Sequence, residues 1–125
     1  MLRACRRVLR PGGRLAFYTI HPARRLTAAQ RRRVSRDGPV AVATPRPHHE
    51  MLSAAGFVEV RERDVTEAFL VTLEGWIEAF DAWRDHLVRL LGEDAFEERQ
   101  ADRRAHVAVA EEGLLRRSLF VATAP

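Results

Sequence analysis

Lysine is absent from this sequence. All 21 basic residues are arginine, which reads as a compositional bias and not as a surface selected for phosphate contacts, where both residue types are usual. Cysteine is scarce: Cys5 stands alone, which excludes an internal disulfide and a Cys-x-x-Cys pair and fits a reducing cytoplasm. No apolar run approaches the ~20 residues that span a bilayer, and no apolar segment with a small-residue cleavage site follows the N-terminal arginines, so neither a membrane helix nor a secretory signal is read. Of seven glycines only Gly12 and Gly13 adjoin, and neither a P-loop nor a Gly-x-Ser-x-Gly elbow occurs. Acids are missing from residues 1–36, where eleven arginines lie, so the other ten arginines face all 17 acids. The net charge of +4 therefore hides a basic N-terminal block. With 125 residues, 46% hydrophobic and 30% charged, the chain suits one globular domain with a modest core.

What is present is organised around Arg6-Arg7-Val8-Leu9-Arg10-Pro11-Gly12-Gly13-Arg14-Leu15-Ala16-Phe17-Tyr18-Thr19-Ile20. Met1 to Arg10 reads as the end of a helix with Leu2, Cys5 and Leu9 on one face, which makes Cys5 a structural thiol. Pro11 disfavours helical geometry at Arg10, and the two glycines admit a tight reversal. Leu15–Ile20 is an almost unbroken apolar run, as in a strand covered on both faces. His21-Pro22 is expected to end it, since proline cannot donate to a ladder.

Downstream, Thr27 caps a short helix over Ala28–Ser35, and Pro39–Pro47, with three prolines, reads as an extended loop. His48–Ala55 is a short helix stopped by Gly56. Phe57–Val65 alternates as a strand with one polar face, which suits a sheet edge. Thr72–Leu91 carries Trp76, Phe80, Trp83, Leu87 and Leu90 at steps of three and four, predicting a helix that buries this stripe. Gly92 ends it. Glu93–Glu112 is a second helix with acids in its first turns; Gly113 stops it, and Leu114–Ala124 is the last strand.

Three of these segments, in order, carry a family resemblance. "RVLRPGGRLAFYTI", "HHEMLSAAGFVEVRERDVT" and "EGLLRRSLFVATAP" resemble the second half of class I S-adenosylmethionine-dependent methyltransferases, from the fourth crossover helix to the closing strand. The resemblance implies an α/β fold, the C-terminal part of a Rossmann-like sheet in the family order 5-7-6, with the last strand antiparallel and between the other two. Residues 1–125 are then expected to form a partial domain that begins part-way through the fold, and residues 72–112 a helical insertion. It implies S-adenosylmethionine as cofactor and a small-molecule acceptor. The family's glycine-rich cofactor turn and ribose-binding acid are missing, so no cofactor-binding residue is assigned and the chain alone is expected to be inactive.

On the acceptor side, ligands of open parallel sheets bind beyond the carboxyl ends of the strands, which makes Thr19 and His21 candidate substrate-binding residues. His21 could orient or deprotonate an acceptor. Trp76, with Trp83, could line a pocket from a lid; core packing of the same helix is the other reading. His48-His49-Glu50 lacks a partner group at ligand spacing, so no metal is assigned, and Asp64 and Glu67 form no recognisable acid–base pair. A non-catalytic module using arginine-rich residues 1–36 to bind nucleic acid or an acidic partner is the rival reading, and a fragment without independent function a third. The unpaired edge of Leu15–Ile20 would favour self-association.

Overall fold

In the computed structural model of this chain, which describes residues 1–40 and 46–125, three strands form one sheet in the order β1-β3-β2. These are β1 (Arg14–Pro22), β2 (Val58–Asp64) and β3 (Leu115–Thr123). β3 pairs antiparallel with both neighbours. The last strand therefore lies between the other two and runs against them, as expected, with Phe57–Val65 shortened to an edge strand. Most of the extended loop expected over Pro39–Pro47 falls on residues 41–45, outside the described residues.

The expectation that β1 ends before His21-Pro22 is corrected. The ladder runs on through Pro22, opposite Leu115. Ala23 N donates to Leu114 O at 2.8 Å, so by alternation the nitrogen of Pro22 faces the open side, where no ladder bond is lost. Coverage of β1 on both faces is corrected too: Leu15, Phe17 and Thr19 are half-buried, whereas Ala16 and Tyr18 are exposed.

The helices are α1 (Leu2–Val8), α2 (Ala28–Asp37), α3 (His48–Ala54), α4 (Thr66–Ala82), α5 (Arg84–Leu91) and α6 (Glu93–Glu111). α1 and α3 cover one sheet face, where Leu52, Phe57, Phe120, Ala122 and Ala124 are buried with Leu2, Cys5 and Leu9 packed against them. Thr27 and Gln30 close a reciprocal capping box at the start of α2. At the carboxyl end of β1, Ile20 and Leu26 pack on a second cluster built from Val34, Phe69, Leu73, Val109 and Leu115. The long helices thus cap that end of the sheet. Gly56, Gly92 and Gly113 stop their helices at φ of 88, 86 and 72°, in the region open to a residue without Cβ.

The single helix expected over Thr72–Leu91 is corrected to two. Asp64 Oδ1 accepts from the Thr66 backbone and hydroxyl at 2.8 and 2.5 Å, so α4 starts six residues earlier; it breaks at Trp83. The buried face is also different. Phe69 and Leu73 are buried, Ile77 and Phe80 half-buried, whereas Trp76 is 56% and Trp83 65% exposed. The face with Phe69, Leu73, Ile77 and Phe80 meets α6, whose fully buried Gln100 donates to Ile77 O at 3.1 Å and Asp81 Oδ1 at 2.8 Å. Arg103 stacks 3.7 Å from the Phe80 ring centroid. A buried amide needs such partners, and they fix which stripe of α4 turns inward.

Truncation should separate the two stripes. Leu73, buried on the inner stripe of α4, should cost about 2–5 kcal/mol as Leu73→Ala, by lost transfer energy and the cavity left behind. Trp83→Ala should change stability by less than about 1 kcal/mol. Urea unfolding of both variants measures the contrast.

Candidate functional site

The residues that close off the carboxyl end of β1 come from four segments. β1 contributes Thr19 and His21 on one sheet face, where pairing sets Thr19 opposite Ser118 of β3. β2 brings Glu62, directly opposite Phe120. α3 adds His48, whose ring lies 5.8 Å from that of His21 and 5.2 Å from that of Phe120. The loop after β1 supplies Arg24. His21, Arg24, His48, Glu62 and Phe120, together with the neighbouring arginines 25, 31 and 46, line a cleft of about 460 Å³, within the usual range for small-molecule pockets. A second cavity of about 640 Å³, bordered by Phe17, Tyr18, Thr19, His48 and Met51, lies on the other side of His48.

At the centre is a chain of hydrogen bonds across all three strands. His21 Nδ1 lies 2.9 Å from Pro22 O; a carbonyl can only accept, so this nitrogen carries the hydrogen. His21 Nε2 lies 2.9 Å from Ser118 Oγ, and Ser118 Oγ donates to Glu62 Oε1 at 2.9 Å. Ser118 is 2% exposed and has a single hydrogen to give. His21 Nε2 also lies 3.8 Å from Glu62 Oε1. Arg24 Nη2 binds the other oxygen of Glu62 at 3.1 Å.

Burial pushes the His48 imidazole below the usual histidine range; His21 adds to this and Glu62 opposes it. Its Nε2 lies 3.5 Å from the Thr19 hydroxyl, a long contact. Thr19 and His21 are thus brought to one face, on either side of His48. Trp76 is not: it is exposed on α4 and borders neither cavity. Four of the eleven N-terminal arginines are committed within the protein. Arg6 binds Pro125 O, Arg24 Glu62, Arg33 Glu112 and Arg36 Asp37. Among the described residues no three His, Cys, Asp or Glu side chains converge as metal ligands, and no helix is long and apolar enough to cross a membrane.

Sequence reasoning missed Ser118, Glu62, His48 and Arg24. One signal was there: Glu62 shares parity with Val60, which packs on the core, so a carboxylate stood on the covered face of its strand.

No family profile and no curated protein matches this sequence. Solved structures do. A phosphoethanolamine N-methyltransferase from Haemonchus contortus, in complex with phosphomonomethylethanolamine and S-adenosylhomocysteine, superposes with a TM-score of 0.81 at 15% identity, covering 99% of this chain and 29% of its own. The fold is that of part of a methyltransferase. A protein from Galdieria sulphuraria assigned as a sarcosine dimethylglycine methyltransferase gives 0.83 at 10% identity over 98% of this chain and 46% of its own. A cyclopropane synthase from Mycobacterium tuberculosis gives 0.78 at 18% over 98% and 48%. This chain spans less than half the length of each.

S-adenosylmethionine, the cofactor of this fold family, does not fit the described residues. A nucleoside cradle in such sheets needs glycine where a strand leaves at its carboxyl end. Here β1 leaves through Ala23-Arg24-Arg25 and β2 through Val65-Thr66, and Gly12 and Gly13 lie at the opposite end of β1.

Titration of His48 should be visible in stability. Its folded pKa lies below the unfolded value, so the unfolded chain binds more protons and stability falls as pH drops below about 6.5. His106, also held low by burial, contributes to the same fall. Urea unfolding between about pH 7.5 and pH 5 should show it, and His48→Asn should reduce the slope without abolishing it. Ser118→Ala, which removes the bridge between half-buried His21 and the Glu62 carboxylate, should cost about 1 kcal/mol at pH 7.

Proposed function

We propose that this chain forms the acceptor-binding side of an S-adenosylmethionine-dependent methyltransferase acting on a small molecule. The observation that carries the reading is the convergence of His21, His48 and Glu62 on a cleft at the carboxyl end of β1, where open α/β sheets bind ligands, with Ser118 bridging His21 and Glu62 behind them and Thr19 beside His48. Methyl transfer to a neutral amine or hydroxyl releases a proton. A neutral His21 imidazole, bridged through Ser118 to the Glu62 carboxylate, would take that proton and later pass it to solvent through the open cleft, while His21 and Thr19 orient the acceptor. The helices α4–α6, which include the insertion read at 72–112, would cap this end of the sheet.

The methyl donor would be bound by groups other than the described residues, and residues 1–125 by themselves would be inactive. The open edge of β1 is a route to self-association. The backbone groups of Ala16, Tyr18 and Ile20 face outward by alternation, and the Tyr18 side chain beside them is 58% exposed.

Calorimetric titration of the 125-residue chain with S-adenosylmethionine, run beside light scattering, should give no micromolar binding and particles larger than a monomer. NMR titration with ethanolamine and with sarcosine should shift Thr19, His21 and His48. Micromolar donor binding by a stable monomer would overturn the donor assignment, and shifts that avoid all three residues would overturn the acceptor site.

A further inference from the structure

The cleft is lined by four arginines, 24, 25, 31 and 46, against one carboxylate, Glu62. That carboxylate is already engaged by Ser118 and Arg24. Arg25 and Arg31 have no side-chain partner among the described residues, although carboxylates elsewhere on this surface are paired with other arginines. Arg31 and Ser35 are one turn apart on α2 and line the cleft together. Arg25 has φ of 61°, a left-handed conformation that costs a residue with a Cβ and that native structures keep mainly where something else fixes it. Pro22, Leu26, Pro47 and Phe120 make the rest of the lining largely apolar.

From these observations we infer that the acceptor carries an anionic group, a phosphate or a carboxylate, which Arg25 and Arg31 hold at the rim while its nucleophilic atom lies toward His21. The inference rests on the acceptor reading above and narrows it to an acid-bearing substrate. Guanidinium forks match the oxygens of both anions in pairs. The charge of Arg25 and Arg31 raises the local concentration of an anion before contact is made. The Ser35 hydroxyl is a further donor in the same lining, and the apolar lining residues suit the carbon skeleton that joins the anion to the methylated atom.

The test is NMR titration of the whole 125-residue chain with inorganic phosphate, acetate and ethanolamine at constant ionic strength. Phosphate or acetate should saturate with shifts at Arg25, Arg31 and Ser35. Arg25→Gly and Arg31→Gln should each weaken binding by about tenfold, the loss of one charge-assisted hydrogen bond. Arg25→Gly relieves a positive φ and should hold its melting temperature within about 4 °C, so its lost affinity is not lost folding. Arg32→Gln, which removes the same charge from α2 outside the cleft, should bind as the parent does. Tighter binding of phosphate than acetate assigns a phosphate ester, and the reverse a carboxylate. Ethanolamine shifts at Thr19 and His21 without a saturating anion response would overturn the anion subsite and leave the acceptor site standing. An equal loss in Arg32→Gln would overturn it as diffuse attraction, and no response to either anion would overturn it outright.

Discussion

Everything in this molecule hangs on the antiparallel insertion of β3 between β1 and β2. Among the described residues neither outer strand has another partner. β3 follows both of its neighbours in sequence, so β1 and β2 are joined in one sheet only when it returns between them. Its inward residues supply both cores: Leu115 to the helical cluster, Phe120 and Ala122 to the cluster under α1 and α3. The same strand places Ser118 between His21 and Glu62. A buried hydroxyl that bridges two ionisable groups on different strands ties strand register to site chemistry, because a slip of one residue would turn Ser118 to the other face.

Much of this was legible before any coordinates. The Pro11-Gly12-Gly13 turn, the stops at Gly56, Gly92 and Gly113 and the Thr27 cap follow from local backbone chemistry, which needs no tertiary context. The strand order came from family resemblance, with the polar face of Phe57–Val65 in agreement. Failures came where two local rules competed. α4 carries two apolar stripes, and the more aromatic one lost because the buried amide of Gln100 and the guanidinium of Arg103 meet the other. Its start was missed because the capping oxygen belongs to Asp64, two residues ahead of Thr66. In the site, Thr19 and His21 followed from strand position alone, while Ser118, Glu62 and His48 could be joined to them only by pairing and packing between distant segments.

An all-arginine basic set shapes the surface in a way that bulk charge does not convey. Arg33 grips Glu112 with two parallel bonds of 2.6 and 2.7 Å, and Arg84 bridges Glu93 and Glu97 while stacking on Phe96. Forked cations cross-link helices in ways that an ammonium point charge does not. Arginine thereby serves as packing material as well as charge.

The corner where β2 hands over to α4 has a longer reach. Thr66 Oγ1 accepts from the Arg117 backbone at 3.0 Å, and Asp64 binds Arg116 at 2.6 Å. The chain leaves the sheet and rejoins it at one place, so β2 and β3 are the two arms of a hairpin whose turn has been expanded into three helices. An excursion with coincident ends can lengthen, shorten or retile its helices without disturbing the ladder at its base. The sheet is in that sense a fixed floor, and the helices of the excursion are free to diverge as a separate evolutionary unit.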